Sequence, residues 1–451
     1  MSTSEPRRIV ILGGGFAGVY AALQLDKAVA RRGEAQVTLV SRDNFFLFTP
    51  MLHEVAASDL DITNIVSPIR KMVHRVGFVA AAVQRSDLDK RTVHLEHGLE
   101  NHSHVLGYDH LVIALGAVTN FFGIPGLRER ALTMKSLGDA IELRNRLIAN
   151  LEEANFECSA AARKRLLTFV VAGAGFAGVE TVAAMNDFVR DAVRFYPLLS
   201  SGMVRMVLVD PGGAILPECG PSLGHYAERK LAKRQVEIKL NCKVTGVSER
   251  MVELSDGTTV ETSTLIWTAG TAPNPLLETL PCRSERGRIA VNEFMEVPGY
   301  PGVWALGDCA VVPDPKTGKP QPPTAQHAMR EGKVVAENIE AALRGRPKKA
   351  FSFSTIGQLA AIGRRTGVAN ILGIHFSGIV AWWLWRTIYL SKLPRFEKKI
   401  RVMFDWTLDL LFSKDLVQFL MTKSETVSKH DAIAGEKGLN PIGEVRDDRE
   451  H

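Results

Sequence analysis

Two stretches of the chain share one pattern: an apolar β-type run, a glycine turn and a helix-like segment. Arg7 to Leu12 leads into Gly13-Gly14-Gly15-Phe16-Ala17-Gly18-Val19, and Leu166 to Ala172 leads into Gly173-Ala174-Gly175-Phe176-Ala177-Gly178-Val179. Second strands are predicted at Val37–Val40 and at Val204–Val209, the latter ending in Asp210. Later strands are expected as a pair over roughly Phe78 to Val93, and at about 236–247 and 251–260. The phrase Leu111 to Asn120 (LVIALGAVTN) is echoed by Leu265 to Asn274 (LIWTAGTAPN). Each is an apolar strand ending in a small-residue turn, at Gly116 and at Gly270. Pro301 to Asp308 reads as a further strand ending in Gly-Asp, where the acid either accepts hydroxyl hydrogen bonds or caps the next element. A capped helix is predicted from Ser136, and another from about Thr324 to Leu343 after the Pro/Gly/Lys-rich loop Pro313–Pro323.

The pattern changes towards the C-terminus. Ile371 to Trp385 is strongly apolar, gathers Trp382, Trp383 and Trp385, and is closed by Arg386. It is shorter than the roughly 20 residues a bilayer span needs. A second helix-like stretch, about Ile400 to Leu420, is predicted to place Met403, Trp406, Leu410 and Val417 on one face and Arg401, Asp405 and Asp409 on another. Lys392, Arg395, Lys398, Lys399 and Arg401 form a basic segment beside it. Tryptophan with flanking cations on amphipathic helices fits an interfacial anchor, and a buried dimer interface is the competing reading. The tail after Lys423 is polar and expected to be disordered.

Each glycine phrase is a G-x-G-x-x-G in its strand–turn–helix setting. The first glycine makes the tight turn, the second lets backbone approach a pyrophosphate, and the third lets helix pack on strand. Two such sites on one chain point to electrons passing between two bound dinucleotides. The 451 residues allow two or three domains. With 46% hydrophobic and 23% charged residues, the composition excludes disorder and a multi-span membrane protein. The net charge of +6 favours anionic partners; with no nucleic-acid-binding motif, an anionic membrane surface is the expected one. Five scattered cysteines without a C-x-x-C fit reduced thiols and no metal site. Met1 to Pro6 is polar and lacks the apolar core of a signal peptide, so a cytosolic-type compartment is expected.

In this order the motifs resemble the two-dinucleotide-binding flavoproteins, and among them the type II NADH dehydrogenases, single-subunit NADH:quinone oxidoreductases. The resemblance runs from Ile9 to about Leu420. It rests on Phe46-Leu47-Phe48-Thr49-Pro50-Met51-Leu52-His53-Glu54-Val55-Ala56, on Gly175-Phe176-Ala177-Gly178-Val179-Glu180, and on Pro322-Pro323-Thr324-Ala325-Gln326-His327-Ala328. It also rests on the C-terminal tryptophans with Tyr389-Leu390-Ser391-Lys392. The fold implied is α/β: two Rossmann-like domains of glutathione-reductase type and a C-terminal membrane-associating helical region. The expected division is FAD-binding 1–125 and 291–345, a connector 126–164, NADH-binding 165–290, the membrane-associating region 346–425 and a polar tail 426–451.

The resemblance implies that Gly13, Gly15, Phe16, Ala17 and Gly18 hold the FAD pyrophosphate and Asp308 its ribityl chain. Thr49, Gly116, Ala325 and Gln326 would lie near the isoalloxazine, Val83 at the adenine, and Lys392 would reach toward the flavin. For NADH it implies Gly173, Gly175, Phe176, Gly178, Glu180, Asp210 and Gly270. The acid usual after the second strand of an FAD unit is replaced by Ser41-Arg42-Asp43, which leaves the ribose contact of Ser41 and Arg42 open. Asp210 keeps that acid in the second unit and favours NADH over NADPH. Glu180 is expected to position the nicotinamide or relay a proton, against a solvated glutamate favouring its helix end. Gln326 is the expected quinone contact, against an ordinary first-turn residue; His327 is read as an interface histidine. The partners implied are NADH, a membrane quinone and an anionic membrane surface, with a homodimer left open. The location implied is the cytoplasmic face of the cell membrane, peripherally bound.

Rival activities of the same fold mostly need cysteine. Asn44 to Ala57 contains none, against a disulfide reductase or a cysteine-dependent NADH oxidase or peroxidase, and nothing after Cys309 supplies the late cysteine of a sulfide:quinone oxidoreductase. A ferredoxin reductase would not need the tryptophan-rich end, and a flavoprotein NADH sensor would lack turnover with quinone.

Overall fold

Ile9, Val10, Ile11 and Leu12 are all buried, because strand β1 (Arg7–Leu12) is the central strand of a parallel sheet covered on both faces. The computed structural model describes residues 6–98 and 100–419. In it β1 pairs with β2 (Ala35–Ser41), which pairs with β3 (Gly77–Ala80). On its other side β1 pairs with β4 (His110–Ile113). Helix α1 (Phe16–Ala28) makes the crossover from β1 to β2.

A second parallel sheet repeats this plan with β5 (Leu132–Thr133), β6 (Thr168–Ala172), β7 (Arg205–Val209), β8 (Val236–Lys239) and β9 (Thr264–Trp267), in the order β5-β9-β6-β7-β8. The chain then returns: β10 (Val303–Ala305) pairs with β4 and completes the first sheet as β10-β4-β1-β2-β3. The two echoed phrases meet, since Ala117–Thr119 runs antiparallel to Thr271–Pro273.

Five further helices position the site. They are α2 (Leu52–Ala56), α3 (Leu137–Phe156), α4 (Phe176–Ala192), α5 (Ala325–Leu343) and, near the C-terminus, α6 (Ile379–Lys392). Helix α3 starts as its sequence predicts, with a capping box in which the Ser136 side chain accepts from Asp139 N and the Asp139 side chain accepts from Ser136 N. Helix α7 (Phe396–Leu411) follows α6.

Several expectations are corrected. The region 236–247 is not one strand: β8 belongs to the parallel sheet, whereas Val244–Val247 opens a three-stranded antiparallel layer. The pair expected over Phe78–Val93 is β3 followed by an antiparallel meander, Ala82–Asp87, Thr92–His97 and His102–Gly107. Within the expected connector, Leu132–Thr133 is an edge strand of the second sheet. The apolar run Ile371–Trp385 is not one helix. Its first half belongs to an antiparallel sheet of β11 (Gly357–Ala361), β12 (Gly367–Ile371) and β13 (Ile374–Gly378), and only from Ile379 does α6 begin. Gly373 and Gly378, both at positive φ, break the run, which apolar content alone does not reveal. Helix α7 ends at Leu411, short of Val417; Leu420 and the polar tail lie outside the described residues.

Candidate functional site

Both glycine fingerprints form the same cradle at the C-terminal edge of their sheets. Gly13 and Gly173 have φ of +110° and +111°, and a Cβ on Gly13 would fall 2.2 Å from the Ala114 carbonyl oxygen. A Cβ on Gly18 or Gly178 would strike the carbonyl oxygen of Gly13 or Gly173, so helix and turn touch backbone to backbone. In contrast Gly15 and Gly175 face open space at the N-termini of α1 and α4. Bare backbone at a helix N-terminus fits a pyrophosphate at each cradle.

Beside the first cradle, Phe16 packs edge-on against Phe46 at 4.9 Å, and the Ala17 backbone meets α5 at Gly332. Gly307 crosses close to Ala17 and fixes the turn that carries Asp308. Glu331 holds that turn by accepting from Gly307 N at 2.7 Å. Burial raises the Asp308 pKa, opposed by the nearby Lys135 and Arg288 charges. Ser41 ends β2 pressed toward Gly14, while Arg42 and Asp43 project outward. Val83 lies in the meander just after Ala81, whose N–H donates to Ser41 O. Thr49 is exposed at the start of a 3₁₀ turn, and Gly116 has nothing near its Cα face. Thr324 caps α5 by accepting from His327 N, and its hydroxyl also meets His327 Nδ1 at 2.8 Å. His327 is buried edge-on to Phe353. Gln326 Nε2 donates to Gly357 O, so its amide nitrogen is committed to β11.

At the second cradle Gly173, Gly175, Asp210, Thr268, Gly270 and Phe122 line a cleft of about 780 Å³. Phe176 opens α4 beside it. The Asp210 carboxylate accepts from Ala174 N and from Gly212 N, each at 2.6 Å, and so ties the glycine turn to the loop after β7. Phe122 rests against Gly270, where any side chain would collide with its ring.

Glu180 is buried rather than solvated. Its Oε1 accepts from Ala361 N at 3.0 Å and from Trp385 Nε1 at 2.9 Å. Burial raises its pKa to about 8, partly offset by those two hydrogen bonds. His53 Nδ1 lies 3.7 Å from Glu180 Oε2, yet burial lowers the His53 pKa to about 3. At neutral pH this is a contact between two mostly neutral groups, not an ion pair. A second buried glutamate stands beside it on α2: Glu54 accepts from Trp406 Nε1 at 3.1 Å and is pushed up to about 8 by burial, against the pull of Arg386. The sequence reading gives His53 and Glu54 no individual role and assigns Trp385 and Trp406 to a membrane-facing surface, whereas both indoles are buried here. The available signal was a charged residue inside the otherwise apolar run Val55–Ala57 and Phe46–Leu52.

The C-terminal side chains divide differently from expectation. Trp385 is fully buried, Trp382 stacks on Arg386, and Trp383 alone of the three is exposed, at 62%. On α7 the buried side is Lys398, Val402 and Trp406, while Met403, Phe404, Leu408 and Leu411 face outward. Lys398 is therefore no surface cation: its Nζ donates to Thr63 O. Lys392 and Arg401 are exposed, and Lys399 Nζ donates to Ser391 O. No helix among the described residues is long and apolar enough to cross a membrane.

The chain matches the family model "Pyridine nucleotide-disulphide oxidoreductase" over residues 7–332 and the model "NDH2 C-terminal domain" over 356–415. It is 32% identical to the type II NADH:quinone oxidoreductase Ndh of Mycobacterium tuberculosis, covering 91% of this chain and 90% of that protein. It is 30% identical to the external alternative NADH-ubiquinone oxidoreductase of Yarrowia lipolytica, over 91% and 80% of the two chains. The structure of NDH2 from Plasmodium falciparum in complex with NADH superposes with a TM-score of 0.84 at 20% identity, covering 91% of this chain and 99% of that one. The protein thus belongs to the pyridine nucleotide-disulphide oxidoreductase family and, within it, to the type II NADH:quinone oxidoreductases.

Proposed function

We infer that this protein is a flavin-dependent NADH:quinone oxidoreductase, with FAD held by the first cradle and NADH by the second. The observation that carries the reading is the pair of matched glycine cradles on one chain, with no redox cysteine pair to serve as an alternative electron carrier. All five cysteines are unpaired, and Cys309, nearest to Asp308, is a buried thiol whose pKa burial raises to about 11.

The residues divide the work. Gly15 and Gly175 leave open backbone at a helix start for one pyrophosphate each, while Gly13 with Gly18, and Gly173 with Gly178, let turn and helix pack closely enough to shape each cradle. Asp308, held by its Gly307–Glu331 anchor, offers a carboxylate to the ribityl hydroxyls. Ser41 offers the adenosine ribose a neutral hydroxyl where an acid is usual, and Val83 an apolar contact to adenine. Asp210 presents its carboxylate to the adenosine ribose of NADH and repels a 2′-phosphate. When bound, the flavin supplies a centre that accepts hydride from NADH and yields two electrons to a quinone. The capped start of α5, with Ala325 and Gln326, brings a positive helix end toward that ring. Thr49, Gly116 and Lys392 line its approach, with Gln326 the quinone contact. Glu180, mostly protonated at neutral pH, holds a proton where the two substrates meet.

The exposed apolar side chains Leu372, Ile374, Ile379, Val380 and Trp383 form a groove between the β12–β13 hairpin and α6, and Met403, Phe404, Leu408 and Leu411 of α7 are exposed as well. Those apolar side chains, together with the exposed cations Lys392 and Arg401 of the same C-terminal segment, fit peripheral attachment to an anionic bilayer, from which a membrane quinone is drawn. On this reading the protein sits on the cytoplasmic face of the cell membrane. The test is NADH oxidation by purified, FAD-loaded protein with a soluble quinone analogue, compared with oxidised ferredoxin and with sulfide as an alternative donor. Turnover with NADH and quinone alone supports the assignment; turnover only with ferredoxin, or sulfide oxidation by quinone, rejects it.

A further inference from the structure

A phenylalanine stands where the backbone favours glycine or asparagine. Phe121 to Ile124 form a turn closed by Ile124 N, which donates to Phe121 O at 3.0 Å. Its two central residues, Phe122 and Gly123, have φ of +50° and +65°. Glycine, asparagine and aspartate adopt such paired positive φ readily, and a bulky side chain resists it. Asn120 holds the turn: its Oδ1 accepts from Phe122 N, and its carbonyl oxygen accepts from Trp267 Nε1, each at 2.8 Å. Strain of this kind persists only where surrounding contacts fix it, and it gathers at ligand sites.

Core packing does not account for the phenylalanine. Its neighbour Phe121 packs against the hydrophobic core of the second unit, with Arg128 over its ring. Phe122, by contrast, is 60% exposed. Its ring meets Trp267 edge-on at 6.3 Å. It also lies against Gly270, where an added Cβ would fall 2.5 Å from two of the ring carbons. The rest of the ring is open, and Phe122, Trp267 and Gly270 together line the cleft of the second cradle.

Strand order fixes which end of the cleft this is. β7, which leads into Asp210, lies on one side of β6, and β9, which leads into Gly270, lies on the other. With the adenosine ribose at Asp210 and the pyrophosphate at Gly175, the nicotinamide half of the dinucleotide extends toward Gly270. The same end is the seam between the two units, where Ala117–Thr119 pairs with Thr271–Pro273. A nicotinamide that gives hydride to a flavin in the first unit has to lie at that seam. We propose that the Phe122 ring is the substrate contact that positions the nicotinamide half of NADH, braced from behind by Gly270 and Trp267. The inference rests on the NADH reading above and adds a residue to it. A rigid aromatic ring presents a large apolar surface to a ribose or a planar nicotinamide, and the Asn120 clamp keeps it from folding away into the core.

Two variants test this on the FAD-loaded protein. Phe122→Gly removes the ring and accepts the positive φ without strain; Phe122→Tyr keeps the ring. Calorimetry measures binding of NAD⁺ and of ADP, which lacks the nicotinamide half. Phe122→Gly is expected to weaken NAD⁺ roughly tenfold, as loss of one aromatic contact implies, while ADP stays within about twofold of wild type. Its flavin is expected to bleach more slowly at saturating NADH, and its thermal midpoint to be no lower than that of the wild type. Phe122→Tyr is expected to recover most of the lost NAD⁺ affinity. Equal weakening of NAD⁺ and ADP, or a Phe122→Gly protein that fails to fold, marks the ring as structural and overturns the proposal. Unchanged NAD⁺ affinity in Phe122→Gly, or a Phe122→Tyr protein as weak as Phe122→Gly, overturns it as well. A wild-type protein whose flavin NADH does not bleach instead overturns the underlying assignment.

Discussion

Asp210 combines a structural and a selective task in one carboxylate. Its oxygens already hold Ala174 N and Gly212 N, so Asp210→Ala loosens the turn as well as the ribose contact. Lower kcat/KM with NADH is therefore expected on either account, and the diagnostic quantity is the ratio of NADH to NADPH. That ratio is expected to fall by roughly 10- to 100-fold, as losing about 1.5–3 kcal/mol of charge-assisted hydrogen bonding implies. An unchanged ratio rejects the ribose role. Glu180 allows a second prediction at this scale. Its carboxyl is raised from the usual carboxylate range to about 8 by burial, so the folded state binds the extra proton between those two values. Folding stability then falls as pH rises from about 4.5 to about 8, by up to about 1.4 kcal/mol per pH unit. Glu180→Gln, whose amide oxygen still accepts from Ala361 N and Trp385 Nε1, removes this dependence. Its Tm relative to wild type is expected to climb across that window; a difference flat with pH contradicts the buried neutral state. Motif position made Glu180 and Asp210 visible in the sequence. The partners of Glu180 were not, because Trp385 and Ala361 lie far along the chain and meet it only through the tertiary fold.

At the scale of elements, the sequence was most readable where local chemistry and burial agree. The capping box at Ser136 and the Thr324 cap satisfy backbone groups locally, whereas the two fingerprints leave theirs bare for a ligand; in all four the helix begins directly after the cap residue. The C-terminal segment was misread because apolar content was taken for one helix, although Gly373 and Gly378 turn half of it into a hairpin. Amphipathic faces were misassigned for a related reason: Trp385 and Trp406 serve as indole donors to Glu180 and Glu54, so tryptophan marks the interior here as well as the surface. A sharper membrane test follows. Lys398→Glu would strand a buried charge near Thr63 and is uninformative. Lys399→Glu with Arg401→Glu, and separately Trp383→Asp, are expected to weaken binding to anionic vesicles in co-sedimentation. The charge reversal should matter most at low ionic strength, and the loss of indole should be largely salt-independent. Neither change is expected to alter flavin content. Wild-type protein that ignores anionic vesicles at low salt makes the apolar groove an interface between copies instead.

On the whole-molecule scale, the chain builds one parallel sheet, then a second of the same plan, and returns to the first through β10. The echoed phrases at Gly116 and Gly270 make this duplication legible in the sequence alone, and they pair with each other across the two sheets. What the sequence did not expose is the buried floor between α2, α4, α6 and α7, where two neutral glutamates, two indoles and a small cavity meet. Division of labour between two half-reactions is the central consequence of this architecture. Anaerobic stopped-flow absorbance measures it directly, mixing FAD-loaded protein first with NADH and then with a soluble quinone. Wild-type flavin absorbance is expected to bleach in the first mix and recover in the second. Gln326→Ala is expected to bleach at the wild-type rate and to recover severalfold more slowly. A Gln326→Ala protein slowed only in bleaching, or a wild type whose flavin never recovers with quinone, would contradict the account.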